Sequence, residues 1–196
     1  MSKIHHLTSP FSEEVIRSLH AGDIIYFDGP LFGIRDLTQI HIFDHNNPPP
    51  VSLEGMPCIH TAPSLRKVGD KWEKICVATT STRMERFTPG LIGQYGVRAV
   101  IGKGGLYQDS LEAMKKYGAV YLAIVGGAAA LETEQIEEVE QVYFEELHPE
   151  ALYRFRVKNF GPLTVAMDSH GVHLYERVSE KIREKLPDIY ARLGVS

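Results

Sequence analysis

The sequence predicts an α/β fold whose centre is a parallel β-α-β-α-β core over about residues 73–125, with antiparallel hairpins flanking it. Three observations predict it. β-forming runs recur at "EKICVA" (73–78), "VRAVIG" (97–102) and "AVYLAIV" (119–125). Segments with helix start and stop signals, "TPGLIGQYG" (88–96) and "DSLEAMKKYG" (109–118), separate them. The strand ends at Ala78, Ile101 and Val125 lie 23 and 24 residues apart, a spacing at which a helical crossover joins neighbouring parallel strands.

The elements follow in chain order. "SPFSEEVIRSLHAGD" has the marks of a helix, with Ser12 as N-cap, acids in the first turn and Gly22 past the end. "DIIYFDGPLFGIRD" alternates β-formers with turn residues and predicts one or two strands, and "NNPPPVSLEG" (46–55) is a stiff connection. "PCIHTAPSLRKVGDKWEKICVAT" predicts strands about a turn at Val68-Gly69-Asp70. In the 88–96 helix, Thr88 takes the N-cap, Pro89 the first helical position and Gly96 the stop. "LETEQIEEVEQ" predicts an acidic helix start and "VYFEEL" a strand. "FGPLTVAMDSHGVHLYE" (160–176) predicts a second hairpin turning near Ser169-His170-Gly171, and "RVSEKIREKLPDIYARL" a closing amphipathic helix. No linker divides residues 1–196, so one domain is expected.

Composition narrows the function. With 43% hydrophobic residues, 23% charged and a net charge of −4, nothing electrostatic calls for nucleic acid or an anionic membrane as partner. Cys58 and Cys76 are 18 residues apart, with no CxxC and no Cys/His ligand spacing, so no metal or cluster is expected on this chain alone. That usage fits a reduced, cytoplasmic setting. "MSKIHHLTSPF" has no apolar signal-peptide core, and "AVYLAIVGGAAAL" (119–131) is too short and Gly-rich to span a bilayer.

The topology points to a site. Loops that follow parallel strands emerge at one edge of the sheet, where open α/β folds bind ligands. Those loops are "TTSTR" (79–83), "GKGGL" (102–106) and "GGAAA" (126–130). Thr82 with Glu85 matches a capping box, and Thr88 caps the next helix. Capping leaves Thr79, Thr80 and Ser81 unexplained, and also Arg83, a first-turn cation that opposes the helix dipole unless an anion is near. Lys103 and Gly104 sit in the neighbouring loop, where glycines let backbone N–H groups approach a ligand. "IGKGG" is neither a P-loop, since Gly104 follows Lys103, nor a dinucleotide loop, since Tyr107 replaces its third glycine. Arg35 beside Asp36 is equally compatible with a surface ion pair and with a bidentate carboxylate grip. The nine histidines do not converge. His5, His6, His20 and His148 read as surface residues, His41 and His45 as members of a polar loop, and His60 and His170 as structural.

Several of these segments together resemble a known family. "GDIIYFDGPLFGIRD", "RKVGDKW", "TTSTRM", "GVRAVIGKGG" and "PEALYRFRVKNFGPLTVAMDSHGVHLY" occur here in that family's order, over about residues 8–176. It is the β subunit of the iron–sulfur-dependent fumarate and tartrate hydro-lyases, equivalent to the C-terminal domain of class I fumarate hydratases. The resemblance implies a swivelling β/β/α fold and a cytoplasmic αβ hetero-oligomer. It also implies a [4Fe–4S] cluster ligated by the partner α subunit and not by this chain. Arg35, Arg83 and Lys103 match the family's substrate-carboxylate ligands, and Thr79 its proposed catalytic base. Catalysis is thus expected from Thr79, Arg83 and Lys103, with Thr80, Ser81 and Gly104 also binding substrate. Fumarate to malate is the reaction expected first and tartrate to oxaloacetate next, the alternative being a non-catalytic dicarboxylate-binding or regulatory paralogue. The sequence departs from the family at Gln39, where a histidine is usual, at Val77-Ala78 in place of Gly-Pro, and at Thr61 and Ala62, where "HAGP" becomes "HTAP".

Overall fold

The computed structural model describes residues 2–69, 71–76, 78–125 and 133–194. The strands are β1 (Ile4–Thr8), β2 (Ile24–Ile34), β3 (Pro57–His60), β4 (Ser64–Val68), β5 (Lys71–Ile75), β6 (Ala99–Gly102), β7 (Val120–Ala123), β8 (Ile136–Tyr143) and β9 (Leu152–Met167). The helices are α1 (Glu13–Arg17), α2 (Asp36–Phe43), α3 (Thr88–Tyr95), α4 (Gln108–Tyr117) and α5 (Leu174–Leu193), with 3-10 turns at Thr82–Phe87 and Glu145–Glu150. Among the described residues the main sheet runs β1-β2-β3-β6-β7-β9-β8. The first five of these strands pair parallel. β9 lies antiparallel to β7 and β8 and also pairs with β2, so β2, β3, β6, β7 and β9 form a closed ring.

Two apolar clusters occupy the two faces. Phe27, Leu31, Ile59, Ile101, Leu122 and Phe155 pack on the inner face of the ring. Phe32, Cys58, Val100 and Tyr121 alternate with them and meet Leu91 of α3 and Met114 of α4. Short strands buried on both faces are what a parallel sheet under helices requires, and "PCIH" and "AVIG" are buried at every position. α3 and α4 end at Gly96 and Gly118, both in the left-handed conformation at φ 70°, which spares a Cβ clash at the helix stop.

The β-α-β-α-β reading is right for β6-α4-β7 and for α3, and wrong for its first strand. Residues 71–75 pair antiparallel with β4 in a separate two-stranded sheet, and β3 takes the place beside β6. "KWEKI" carries three charges that a strand buried on both faces cannot accept, whereas "PCIH" carries none. The hairpin about Gly69 is as expected. Of the expected acidic helix start, residues 133–135 are helical, and from Ile136 the chain is instead β8, whose Glu138 and Glu140 meet Arg156 and Arg154 across the strand pair at 2.6–3.3 Å. Cross-strand ion pairs, not a helix dipole, account for that run of acids. The expected 160–176 hairpin is reduced to one bridge, Met167 with His173, because β9 runs unbroken from Leu152 and α5 starts at Leu174. α2 was not anticipated and places His41 in a helix. The "GGAAA" loop lies outside the described residues.

Candidate functional site

β2, β3 and β6 end side by side. Ile34 is in register with His60, and Ile59 with Ile101. Arg35, Thr61 and Lys103 therefore follow three adjacent strands spaced roughly 5 Å apart. The hydroxyl run threads into this edge. Thr79 N–H donates to His60 O (2.7 Å), Lys103 N–H donates to Thr79 O (3.3 Å), and Ser81 N–H donates to Lys103 O (2.9 Å). Thr80 and Lys103 form a parallel bridge. The hydroxyl run and Lys103 are thus neighbours, although residues 79–81 reach this edge as a short inserted segment and not as the end of a core strand.

The two arginines arrive from other elements. Arg35 is the N-cap of α2 but caps nothing with its side chain. Glu150, from the turn before β9, supplies that end by accepting from Leu37 N–H at 2.7 Å. Asp36 accepts from Arg83 Nη2 at 2.8 Å, and Arg35 Nε lies 3.4 Å from the same oxygen. Arg35 Nε is also 3.7 Å from Glu150. Half of the Arg83 side chain is exposed, so its pair with Asp36 contributes on the order of 1 kcal/mol or less. Its effect is on direction: Asp36 links two guanidiniums. Among the described residues Lys103 makes no ion pair. With Lys103 at the end of the adjacent strand, three basic residues share this edge with Asp36 and Glu150, a charge balance suited to an anion. Gly104 is exposed, and a Cβ there would lie 3.4 Å from Thr80 Cγ2 and Thr82 Oγ1.

The hydroxyls have separate tasks. Thr79 and Thr80 are partly exposed, whereas Ser81 is fully buried. Tyr121 OH donates to Ser81 Oγ at 3.0 Å, and Ser81 Oγ lies 2.9 Å from His60 Nδ1. With Tyr121 as donor, the Ser81 proton points to His60 Nδ1, which leaves the imidazole proton on Nε2. That atom is buried and makes no hydrogen bond among the described residues. Burial pushes His60 down to about 4, with Asp36 opposing and Arg83 adding to the shift, so the ring is neutral at pH 7. Burial likewise pushes the Tyr121 phenol up. Ser81, expected to touch substrate, is occupied by this buried chain.

The expected capping box does not form. Thr82 Oγ1 donates to Gly105 O (3.0 Å). Glu85 instead accepts from Tyr107 N–H (2.8 Å), Ser110 N–H (3.0 Å) and Ser110 Oγ (2.7 Å), capping α4 from a distance. α4 needs this because its own N-cap, Tyr107, offers no acceptor. Both contacts staple the hydroxyl run to the glycine loop. Thr88 Oγ1 donates back to Met84 O (3.2 Å), and Phe87 takes the N-cap of α3. Glu150 and Tyr121 organise the site without any local sequence signal that marks them, and Asp36 and Glu85, marked in the sequence as neighbours of Arg35 and Thr82, act on Arg83 and α4 instead. Gln39 is fully buried, and its amide Nε2 donates to Arg35 O at 3.3 Å.

An iron–sulfur cluster does not fit this chain's donors. Cys58 is fully buried in the core, and burial pushes its thiol up to about 12. Cys76 is buried beside Thr61 Oγ1 at 3.2 Å. Among the described residues no three His, Cys, Asp or Glu side chains converge to hold a metal ion.

A family model described as Fumarase C-terminus matches residues 2–178. The chain is 42% identical over 176 residues to the L(+)-tartrate dehydratase subunit beta of Escherichia coli, covering 89% of this chain and 87% of that one. It is 40% identical over 182 residues to a Methanocaldococcus jannaschii protein provisionally given the same name, covering 89% and 92% of the two chains. It is also 40% identical over 183 residues to a Geobacillus stearothermophilus protein provisionally named fumarate hydratase class I, covering 92% of this chain and 35% of that one.

Proposed function

The chain belongs to the Fumarase C-terminus family, and from that premise we propose that it is the β subunit of a two-subunit hydro-lyase for a small dicarboxylate. Fumarate to malate is the first substrate pair and tartrate to oxaloacetate the next. One observation carries the reading: the excess of cations formed by Arg35, Arg83 and Lys103 meets the partly exposed hydroxyls of Thr79 and Thr80 at one sheet edge. The same reading takes the fold as the swivelling β/β/α type and residues 1–196 as one domain.

Dehydrating a 2-hydroxy diacid removes a proton beside a carboxylate and a hydroxyl from the neighbouring carbon. Charge builds on that carboxylate as the proton leaves. In this proposal Arg83 and Lys103 hold the carboxylate, so they stabilise the transition state more than the ground state. Arg35 holds the second carboxylate, and the Gly104 backbone offers close approach. Thr79 and Thr80 orient the substrate, with Thr79 on the path of the proton. Ser81 acts indirectly, by fixing residues 79–81 against Lys103. The [4Fe–4S] cluster is assigned to an α partner, because neither Cys58 nor Cys76 is presented to an iron.

A second reading, a dicarboxylate-binding paralogue without turnover, draws on Gln39. This neutral, buried amide stands where the family has a titratable histidine. Anaerobic co-purification with an α-type chain, followed by assays on fumarate, malate and tartrate, separates the two. Turnover is expected, and Lys103→Ala should lower kcat/KM by about 100-fold or more. A cluster-loaded complex that binds these acids but turns over none supports the second reading. Wild-type turnover by the Lys103→Ala complex overturns the site assignment.

A further inference from the structure

None of the residues of α5 is buried, although the helix is 20 residues long. Its apolar residues Tyr175, Val178, Ile182, Leu186, Ile189 and Leu193 are spaced by three or four and line one stripe. Val178, Ile182 and Leu193 are 56%, 52% and 69% exposed. The charges are sorted around that stripe. Lys181, Lys185 and Arg192 follow one edge and Arg183 the other, while Glu176, Glu180, Glu184 and Asp188 occupy the opposite face with one basic residue, Arg177, among them. Helices in proteins draw most of their stability from packing an apolar face, and nothing else in the described chain covers this one.

The place of α5 relative to the site identifies its occupant. The Tyr175 ring packs on Gly105, where an added Cβ would lie 3.1 Å away, and His173 Nε2 meets Leu106 O at 3.1 Å. The first turn of the helix therefore packs on the glycine loop that carries Lys103. A chain seated on the stripe lies beside the candidate site. We propose that α5 is the docking helix for the α partner, inserted in an apolar groove rimmed by carboxylates; this rests on the two-subunit reading above. A second copy of this chain is a poor occupant, because self-pairing sets basic edge against basic edge. An anionic membrane suits it less, since the stripe is narrow, lacks Trp and Phe, and belongs to a helix with five basic and four acidic residues. The family match ends at residue 178, so most of the docking surface lies outside the shared fold and tunes the choice of partner.

The test measures binding of the purified full chain to its α-type subunit by biolayer interferometry at low and high salt. Wild type should bind, and more weakly as salt rises. Lys181→Glu/Lys185→Glu and, separately, Ile182→Asp should each weaken binding by about tenfold or more, with far-UV circular dichroism unchanged because all three sites are exposed. Wild-type affinity in both variants overturns the docking assignment and leaves the two-subunit reading standing. No binding by the wild type overturns both. Binding to phosphatidylglycerol vesicles that both variants abolish, with subunit affinity intact, assigns the helix to a membrane. A wild-type self-association seen by light scattering and lost in the variants assigns it to a second copy. Either result overturns the proposal.

Discussion

Replacing Gly102 with alanine tests whether the buried Ser81 hydroxyl sets the spacing of the candidate site. A Cβ on Gly102 would fall inside the van der Waals shell of Ser81 Oγ and lie 3.4 Å from both Ser81 Cβ and His60 Nδ1. Ser81 and His60 are fully buried, so the displaced oxygen has no solvent to move into. Rotating it away breaks its contacts with Tyr121 OH and His60 Nδ1. Two such hydrogen bonds contribute about 1 kcal/mol each, and overpacking a close-packed site costs about 1–3 kcal/mol. The sum is a loss of roughly 3–5 kcal/mol, which for a chain of this size lowers Tm by roughly 6–20 °C. Urea unfolding and a thermal melt would measure it. Ser81→Ala combined with Gly102→Ala removes the collision, so the double variant should be more stable than the sum of the singles by at least about 1 kcal/mol. A Gly102→Ala loss below about 1 kcal/mol, or strict additivity in the double variant, would refute the reasoning.

Two further outcomes follow from burial. His60 falls from 6.5 to about 4 on folding, so the unfolded chain binds a proton that the folded chain refuses. Stability should therefore fall as pH drops from about 6.5 towards 4, by up to about 3 kcal/mol, and His60→Asn should flatten that window in urea titrations run at several pH values. Both cysteines are buried, and burial pushes the Cys58 thiol up to about 12. Neither should react promptly with a disulfide reagent at pH 8 in the folded chain, and both should react in urea; a prompt reaction at Cys58 would contradict the core packing.

Features that depend on near neighbours in the chain were legible. Ser12 capping α1, the Gly96 and Gly118 stops, the β6-α4-β7 unit and the Gly69 hairpin all follow from cap chemistry and periodicity within a few residues. So did the meeting of the hydroxyl run with Lys103, and here the expectation rested on a wrong strand. The sheet edge was inferred from residues 73–78, whereas Thr79–Ser81 enter between the ends of β3 and β6 from a separate hairpin. Helix α2 escaped notice because its N-terminus is capped by Glu150, over a hundred residues away. β8 was misread for a related reason: its acids are balanced by arginines on β9 and not along its own length.

By itself, then, the sequence determined which residue types this chain offers. It has basic and hydroxyl side chains set in glycine-rich loops, and too few cysteines to hold a cluster. The tertiary structure decided which of them share a space and which way each is used. Ser81 and His60 are fully buried, Asp36 joins Arg35 to Arg83, and the apolar stripe of α5 is uncovered among the described residues. The division has a physical cause. Caps and turns are satisfied within a few residues, but strand partners are chosen by burial summed over both faces of a sheet. That sum is fixed only when distant segments compete for the same place.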